Sequence, residues 1–301
     1  MTLGYDRSLY ILAFDHRGSF VKKFFGIAGA PSPAEAERIA DAKQVIYEGV
    51  RRALAAGAPR EAAGVLVDEQ FGAGVARAAH ADGIALAMPV ERSGQDEFDF
   101  EYGEAFGEHI EAFDPAFSKV LVRWNPEGDA EMNARQGERL RRLGEWLHAH
   151  DRKYLFELLV PAEAAQLGSV GGDAGRYDRE VRPRLMREAI AELQGIGVEP
   201  DIWKIEGVDD RADCEAISAQ ARGGGRDGVA CVVLGRGADD AAVDHWLRTG
   251  SGVPGYRGFA IGRSIWWGPL EAYVAGTSDV DATAEAIGRN YRRFIDVYEG
   301  K

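Results

Sequence analysis

The sequence predicts a single (β/α)8 barrel, also called a TIM barrel, that forms one domain over residues 1–301. Three observations predict it. The length is typical of one such barrel, short apolar runs alternate eight times with longer amphipathic stretches, and no Pro-, Gly- or Ser-rich linker divides the chain. An open, doubly wound sheet is the alternative, but no strand is followed by the G-x-G-x-x-G turn that is typical of it.

Eight apolar runs are short and often β-branched, as expected for parallel strands that are buried on both faces. They span residues 9–14, 64–67, 84–88, 119–124, 154–160, 202–205, 229–234 and 259–261.

The stretches between these runs have the amphipathic pattern of crossover helices. Ser32, Pro33 and Glu35 make a good helix start, with a capping serine, proline at the first helical position and glutamate three residues after the cap. The glycine-rich segment 168–175 follows the fifth strand, on the active-site side of a barrel, so we interpret it as either a lid or an inert loop. Helices are predicted over residues 33–57, 102–113, 131–150, 179–197, 211–222, 238–249 and 281–298.

The amino-acid composition restricts the binding partners and the cellular compartment that we expect for the protein. A net charge of −13 argues against nucleic-acid and membrane partners, because an acidic protein repels nucleic acids and anionic lipid. Cys214 and Cys231 form no metal-spaced cluster and suit a reducing cytosol, where we expect both thiols to be buried or inert. The first apolar run is too short for a signal peptide or a membrane span, so we expect a cytoplasmic protein. We also expect a homo-oligomer, since barrels often associate through their outer helices.

Lys204 is the most informative polar residue, because barrel enzymes place their chemistry at the C-terminal ends of the strands. Strand alternation puts Lys204 on one face with Ile202 and Glu206, while the bulky Trp203 faces the helices. Loss of hydration lowers the pKa of a buried lysine and frees its amine as a nucleophile for carbonyls. The alternative is a structural lysine that is paired with Glu157 or Glu206.

Two further strand residues support a nucleophilic Lys204. Lys119 would place a second cation nearby, which favours the neutral amine. Glu157 would supply a carboxylate for proton transfer during carbinolamine formation and C–C cleavage. An ion pair inside the barrel remains an equally simple interpretation of either residue.

Gly-Arg pairs follow the seventh and eighth strands, at Gly235-Arg236 and at Gly262-Arg263-Ser264. Loops at these positions commonly build a phosphate site in this fold. Glycine lets backbone N–H groups approach an anion, and arginine offers a bidentate guanidinium. The alternative is a pair of ordinary surface loops.

A metal site is the main competing hypothesis for the strand-end carboxylates. Asp15, Asp68, Glu69, Glu157 and Glu206 would together offer oxygen ligands for Mg²⁺. The protein would then be a Mg²⁺-dependent lyase or isomerase that acts on a sugar phosphate. A non-catalytic barrel that binds a sugar phosphate is a third hypothesis.

Five motifs of the chain together carry a resemblance to a known family. The motifs are Leu12-Ala13-Phe14-Asp15-His16-Arg17-Gly18, Lys119-Val120-Leu121-Val122-Arg123-Trp124-Asn125-Pro126, Phe156-Glu157-Leu158-Leu159, Asp201-Ile202-Trp203-Lys204-Ile205-Glu206-Gly207 and Gly262-Arg263-Ser264-Ile265-Trp266. They resemble the aldolase domain for 5-dehydro-2-deoxyphosphogluconate in myo-inositol catabolism, which is in turn similar to the class I tagatose-bisphosphate and sulfofructosephosphate aldolases. The resemblance extends over residues 9–267, nearly the whole chain.

The resemblance implies a role for each matched residue. Lys204 matches the Schiff-base lysine, Lys119 a second barrel lysine and Glu157 a proton-transfer carboxylate. Asp15 would orient or protonate the substrate, and Arg263 would bind phosphate. Neither a cofactor nor a metal is expected in this mechanism.

The chain departs from the tagatose-type enzymes at Arg123 and Trp124, where those enzymes carry aromatic residues. Arg123 would suit a substrate carboxylate, and the strand-end residues Arg17 and Asp68 complete the candidate substrate-binding set. The leading expectation is therefore cleavage of 5-dehydro-2-deoxy-gluconate 6-phosphate to dihydroxyacetone phosphate and malonate semialdehyde.

Overall fold

The computed structural model describes residues 2–301 and contains a closed barrel of eight parallel strands, hydrogen-bonded in sequence order. This confirms the predicted (β/α)8 barrel. All eight predicted strands are present, with ends that differ by three residues at most. The strands are β1 (Leu9–Ala13), β2 (Ala63–Leu66), β3 (Ala85–Pro89), β4 (Phe117–Arg123), β5 (Lys153–Leu159), β6 (Ile202–Glu206), β7 (Ala230–Leu234) and β8 (Tyr256–Ile261).

Helices surround the barrel and connect successive strands. The predicted helices all form, with ends that shift by four residues at most. The α-helices are α1 (Pro33–Ala55), α2 (Glu69–Ala81), α3 (Phe106–Phe113), α4 (Ala130–Ala149), α5 (Ala164–Ser169), α6 (Ala174–Arg176), α7 (Arg182–Gly195), α8 (Arg211–Arg222), α9 (Asp240–Gly250), α10 (Arg263–Val274) and α11 (Val280–Glu299).

Helix α1 begins with the predicted capping box. The Ser32 hydroxyl accepts a hydrogen bond from the Glu35 backbone N–H at 3.4 Å, and the Glu35 carboxylate accepts one from the Ser32 N–H at 2.8 Å. Both bonds satisfy backbone groups that the helix start leaves unpaired.

Helix α2 was missing from the predicted set. Gly72 and Gly74 lie within it and weaken its helical pattern, because glycine disfavours a helix interior. Close packing explains why residue 72 is a glycine, since a Cβ atom at this position would overlap the Val67 side chain.

The glycine-rich segment 168–175 contains more structure than its composition indicated. Gly171 and Gly172, both at positive φ, separate α5 from the short helix α6. A π-helical turn, Tyr177–Val181, then leads into α7. The Tyr177 hydroxyl donates to the Val160 carbonyl at 2.9 Å and thereby fixes the segment to the end of β5.

Strand alternation divides the core into two parts. Ile202 belongs to an apolar cluster inside the barrel, whereas Trp203 and Ile205 pack in the larger cluster between the strands and the helices. The predicted faces of β6 are therefore confirmed. The interior residues are Leu9, Ile11, Ala13, Leu66, Ala87, Phe117, Leu155, Ile202, Ala230, Val232 and Ala260.

A buried ion pair links α1 to the C-terminal ends of β1 and β2. Lys43 and Asp68 are both fully buried and form a short, direct ion pair. The Lys43 ammonium also donates to the carbonyls of Phe14 at 2.8 Å and His16 at 3.1 Å. The second Asp68 oxygen accepts from the Phe71 N–H at 2.9 Å and caps α2. Asp68 therefore belongs to the scaffold, which corrects its prediction as a substrate-binding residue.

Over residues 2–301, no helix is both long enough and apolar enough to cross a membrane. The large hydrophobic side chains that the described surface exposes are Ile196 and Val280. Ile196 follows α7 and Val280 begins α11, and two exposed side chains do not define an oligomer interface. The homo-oligomer therefore stays a prediction.

Both cysteine thiols are expected to be unreactive in the folded protein. Cys214 and Cys231 are buried, and burial raises the pKa of Cys214 to about 11 and that of Cys231 to about 12. Ellman's reagent at pH 8 should therefore label neither thiol until denaturant is added, and both afterwards. Fast labelling of the native protein would contradict this expectation.

Substitution of Lys43 should destabilise the protein strongly. In Lys43→Met the Asp68 carboxylate stays buried without its cation, a change that costs about 3–5 kcal/mol. Urea unfolding should show this loss in the free energy of unfolding. The control is Arg141→Met, which removes the exposed Arg141–Glu145 pair and should have little effect. Equal effects of the two substitutions would refute the structural role of Lys43.

Candidate active site

A cavity of about 670 Å³ opens at the C-terminal ends of the strands. The four predicted catalytic residues, Asp15, Lys119, Glu157 and Lys204, all line it. Of the predicted substrate-binding residues, those lining the cavity are Arg17, Arg123, Gly235, Arg236, Gly262 and Arg263. Asp68 lies outside the lining, as does Ser264, whose hydroxyl donates to the Ala238 carbonyl at 3.1 Å.

Lys119 lies at the centre of a buried charge cluster. Its ammonium is 2.9 Å from Asp15 Oδ2, 2.8 Å from Glu91 Oε1 and 3.0 Å from Glu157 Oε2. Burial opposes the charge of Lys119, but the three carboxylates outweigh it and raise the pKa of Lys119 well above its ordinary value. Lys119 therefore stays an ammonium ion.

Lys204 has fewer partners than Lys119. The β5–β6 register places it directly beside Glu157, and its Nζ is 3.0 Å from Glu157 Oε2, the oxygen that also contacts Lys119. Within residues 2–301 no second carboxylate lies within 4.0 Å of Lys204. Of the two lysines, Lys204 thus has fewer carboxylates to hold a positive charge.

The pKa values of the three carboxylates in the cluster shift in different directions. Burial disfavours ionisation of Glu157, but Lys119 and Lys204 outweigh it and lower the pKa of Glu157. The same balance, with Lys119 the strongest opposing charge, lowers the pKa of Asp15. Burial raises the pKa of Glu91, because its effect is larger than the opposing attraction of the cations Lys119 and Arg17. Glu91 is therefore the carboxylate that takes up a proton most readily.

Glu91 was absent from the predicted site. Its position directly after β3 was visible in the sequence, but its contact with Lys119 depends on the alignment of β3 and β4 in the closed barrel. Arg17 binds the chain that follows β3. Its guanidinium donates to the Glu91 carbonyl at 2.6 Å and to Glu101 Oε2 at 2.9 Å. Arg17 thus organises the loop after β3.

The five carboxylates of the magnesium hypothesis do not converge. Glu69 contacts His109 Nδ1 at 2.8 Å, Asp68 pairs with Lys43, and Glu206 lies 2.9 Å from Arg182 Nη1. Among residues 2–301, no group of three or more His, Cys, Asp or Glu side chains is placed to hold a metal ion. The ligand set that the magnesium hypothesis needs is therefore dispersed.

The two Gly-Arg loops differ in the charge they offer. Arg236 adopts a left-handed backbone conformation, with φ of 52°, and its guanidinium contacts Asp178 Oδ2 at 2.8 Å and Glu206 Oε1 at 3.0 Å. Arg236 was predicted to bind phosphate, but these two carboxylates already neutralise it.

Arg263 is available for an anion. Its Nη2 donates to the Arg236 carbonyl at 2.7 Å, and within residues 2–301 it forms no ion pair with a carboxylate. Gly237 makes this placement possible, because a Cβ atom there would overlap the Arg263 guanidinium. The exposed guanidinium therefore lies against the loop after β7 with its charge unpaired.

Arg123 lies at the end of β4, across the barrel from β8. Its Nη1 donates to the Gln95 carbonyl at 2.6 Å, and Asp96 Oδ1 is 4.0 Å from its Nε. The cavity thus has weakly paired arginines at opposite edges, with the lysine–carboxylate cluster between them.

Several solved structures share the fold of this chain. An archaeal fructose 1,6-bisphosphate aldolase aligns with a TM-score of 0.60 and 15% identity, over 98% of this chain and 94% of that chain. A protein of Corynebacterium glutamicum (Brevibacterium flavum) aligns with a TM-score of 0.59 and 20% identity, over 96% and 88%. A Schiff-base-forming fructose-1,6-bisphosphate aldolase aligns with a TM-score of 0.55 and 15% identity, over 94% and 93%. At these identities the likeness establishes the fold.

No curated protein matches the sequence. A family profile matches almost all of it, over residues 4–301. The chain therefore belongs to the family described as uncharacterized protein conserved in bacteria (DUF2090).

Proposed function

We propose that the protein is a class I aldolase that cleaves a phosphorylated keto-sugar through a Schiff base on Lys204. The observation that carries this proposal is the unequal number of carboxylates around two buried lysines that both contact Glu157. Lys119 is held as an ammonium ion by three carboxylates, whereas Lys204 contacts only the oxygen that it shares with Lys119. A lysine in this position supplies the neutral amine that attacks a ketone.

Glu157 is suited to move the protons of this reaction. The Lys204 ammonium first gives a proton to Glu157. The neutral amine then adds to the substrate carbonyl carbon, and a second proton passes from the nitrogen to the carbonyl oxygen to give a carbinolamine. Loss of water then gives an iminium ion. Glu157 lies 3.0 Å from Lys204 Nζ, so its carboxylate can accept the proton that the amine releases and return it to the departing hydroxyl.

The iminium ion provides the electron sink for C–C cleavage. A base removes the proton of the hydroxyl on the carbon β to the iminium carbon, the C–C bond breaks, and its electron pair forms an enamine. An aldehyde leaves, and protonation and hydrolysis of the enamine release the ketone product. Asp15, with its lowered pKa, is a carboxylate in the same cavity that can orient the substrate. Lys119 favours the ionised form of both Asp15 and Glu157 before the substrate binds.

The arginines support a substrate with an anionic group at each end. Arg263 offers an unpaired guanidinium for the phosphate, and Arg123 faces it across the cavity for a second anion. We propose 5-dehydro-2-deoxy-gluconate 6-phosphate as the substrate, with dihydroxyacetone phosphate and malonate semialdehyde as the products. The sequence resemblance supports this choice, and the carboxylate of this substrate would bind Arg123. Two structures of the same fold are described as fructose 1,6-bisphosphate aldolases, one of them Schiff-base-forming.

Borohydride should trap dihydroxyacetone phosphate on Lys204. We expect intact mass and peptide mapping to show one reduced adduct at Lys204 in the wild type. Lys204→Met should form no adduct and should lose cleavage activity while it stays folded. The matched control is Lys23→Met, an exposed lysine whose replacement should change neither result.

Other outcomes of the trapping experiment identify the competing hypotheses. EDTA should leave the activity unchanged, because the iminium ion supplies the electron sink. An active Lys204→Met enzyme would reject the proposal. Absence of an adduct together with EDTA inhibition would indicate the magnesium enzyme, and ligand-dependent thermal stabilisation without any turnover would indicate a binding protein.

Arg263→Ala should weaken the binding of phosphorylated substrate. A hydrogen bond to a charged group contributes about 1.5–3 kcal/mol, so KM should rise about 10- to 150-fold. Gly237→Ala should reproduce much of this loss by displacing the guanidinium. The control is Arg92→Ala at the cavity rim, an exposed residue 3.2 Å from Asp99, which should leave KM unchanged. An unchanged KM in Arg263→Ala would place the phosphate elsewhere.

A further inference from the structure

His16 is a cavity residue that the proposed mechanism does not use. It follows Asp15 at the end of β1 and lines the same cavity as Lys204 and Arg263. Strand β1 is hydrogen-bonded to β8, whose end leads directly into Arg263. A substrate that is bonded to Lys204 and binds Arg263 through its phosphate would therefore lie close to the His16 ring.

The His16 ring is held firmly on one side and has no polar partner. Its ring packs edge-to-face on Trp266, with 5.5 Å between the ring centroids, and Trp266 Nε1 donates to the Ala13 carbonyl at 2.9 Å. The His16 carbonyl accepts from Lys43. Within residues 2–301, neither ring nitrogen has a hydrogen-bond partner, and Nδ1 is enclosed by protein. Because Nδ1 is enclosed, Nε2 is the ring nitrogen that a ligand in the cavity can reach. Polar groups in such sites are almost always hydrogen-bonded, so the unpaired Nε2 indicates a ligand as its partner.

The His16 ring is uncharged at neutral pH. Burial lowers the pKa of His16 to about 4, and the nearby cations Arg263, Lys43 and Lys204 act in the same direction. Asp15 opposes them and is outweighed. A neutral imidazole has one N–H donor and one acceptor nitrogen. A ring nitrogen in either form can pair with a hydroxyl group, which both donates and accepts, whereas a phosphate, which only accepts, can pair with the N–H form alone.

We propose that His16 is a substrate-contacting residue that hydrogen-bonds the free hydroxyl of the dihydroxyacetone phosphate moiety and thereby selects an α-hydroxylated ketone. This inference rests on the proposed function, because Lys204 and Arg263 define where the moiety lies. The hydroxyl concerned is on the carbon next to the ketone, on the side away from the phosphate.

Two ketones that differ only in this hydroxyl test the inference. Borohydride trapping at Lys204 is measured as a function of concentration with dihydroxyacetone phosphate and with acetol phosphate, which lacks the hydroxyl. The wild type should be half-saturated by dihydroxyacetone phosphate at a concentration up to about 10-fold lower, as one neutral hydrogen bond allows. His16→Phe, which keeps a ring of similar size without nitrogen atoms, should remove the difference between the two ketones. His16→Asn, which restores a donor and an acceptor, should recover part of it.

The outcomes separate this inference from the proposed function. Failure of the wild type to form any Lys204 adduct would overturn the proposed function. Adducts in every variant with an unchanged ratio between the two ketones would overturn only the role of His16. If His16→Phe does not fold, the wild type alone decides, because equal trapping of the two ketones would also refute a contact between His16 and the hydroxyl.

Discussion

The candidate active site depends on one interaction, in which a single carboxylate oxygen of Glu157 contacts the ammonium groups of both Lys119 and Lys204. Two buried ammonium groups this close would repel each other strongly without an anion between them, and burying either charge alone is costly. Asp15 and Glu91 complete the compensation on the Lys119 side only. This asymmetry makes two chemically identical side chains into one fixed cation and one candidate nucleophile.

The charge cluster is placed by rigid parts of the barrel. Lys204 and Glu157 lie opposite each other in the β5–β6 register, so hydrogen-bonded strands set their separation. The end of β1 is held differently, because the Lys43 ammonium binds the carbonyls of Phe14 and His16 on either side of Asp15. The buried Lys43–Asp68 pair therefore acts on the cavity through the backbone, without contact with a substrate.

Charge pairing also distinguishes the arginines of the cavity. Arg236 shares Glu206 with the buried Arg182, and the cluster of these residues and Asp178 connects the ends of β6 and β7 to the π-helical turn before α7. Arg263 has no such partner among the described residues. Two loops with the same Gly-Arg sequence thus contribute differently, one as a structural tie and one as a candidate anion site.

The sequence by itself determined the barrel, seven of its crossover helices and the inward face of Lys204, because strand and helix periodicities are local properties of the chain. It also placed Asp15 and Arg263 after the C-terminal ends of strands, and Lys119 and Glu157 within strands. Inward-facing side chains from different strands lie close together in a closed barrel. Helix α2 escaped prediction because two glycines inside it, one of them packed against Val67, obscure its pattern. Only the tertiary structure decided which charges are paired. Lys43 is 25 residues from Asp68, and Glu91 is 28 residues from Lys119, so barrel closure brings each pair together.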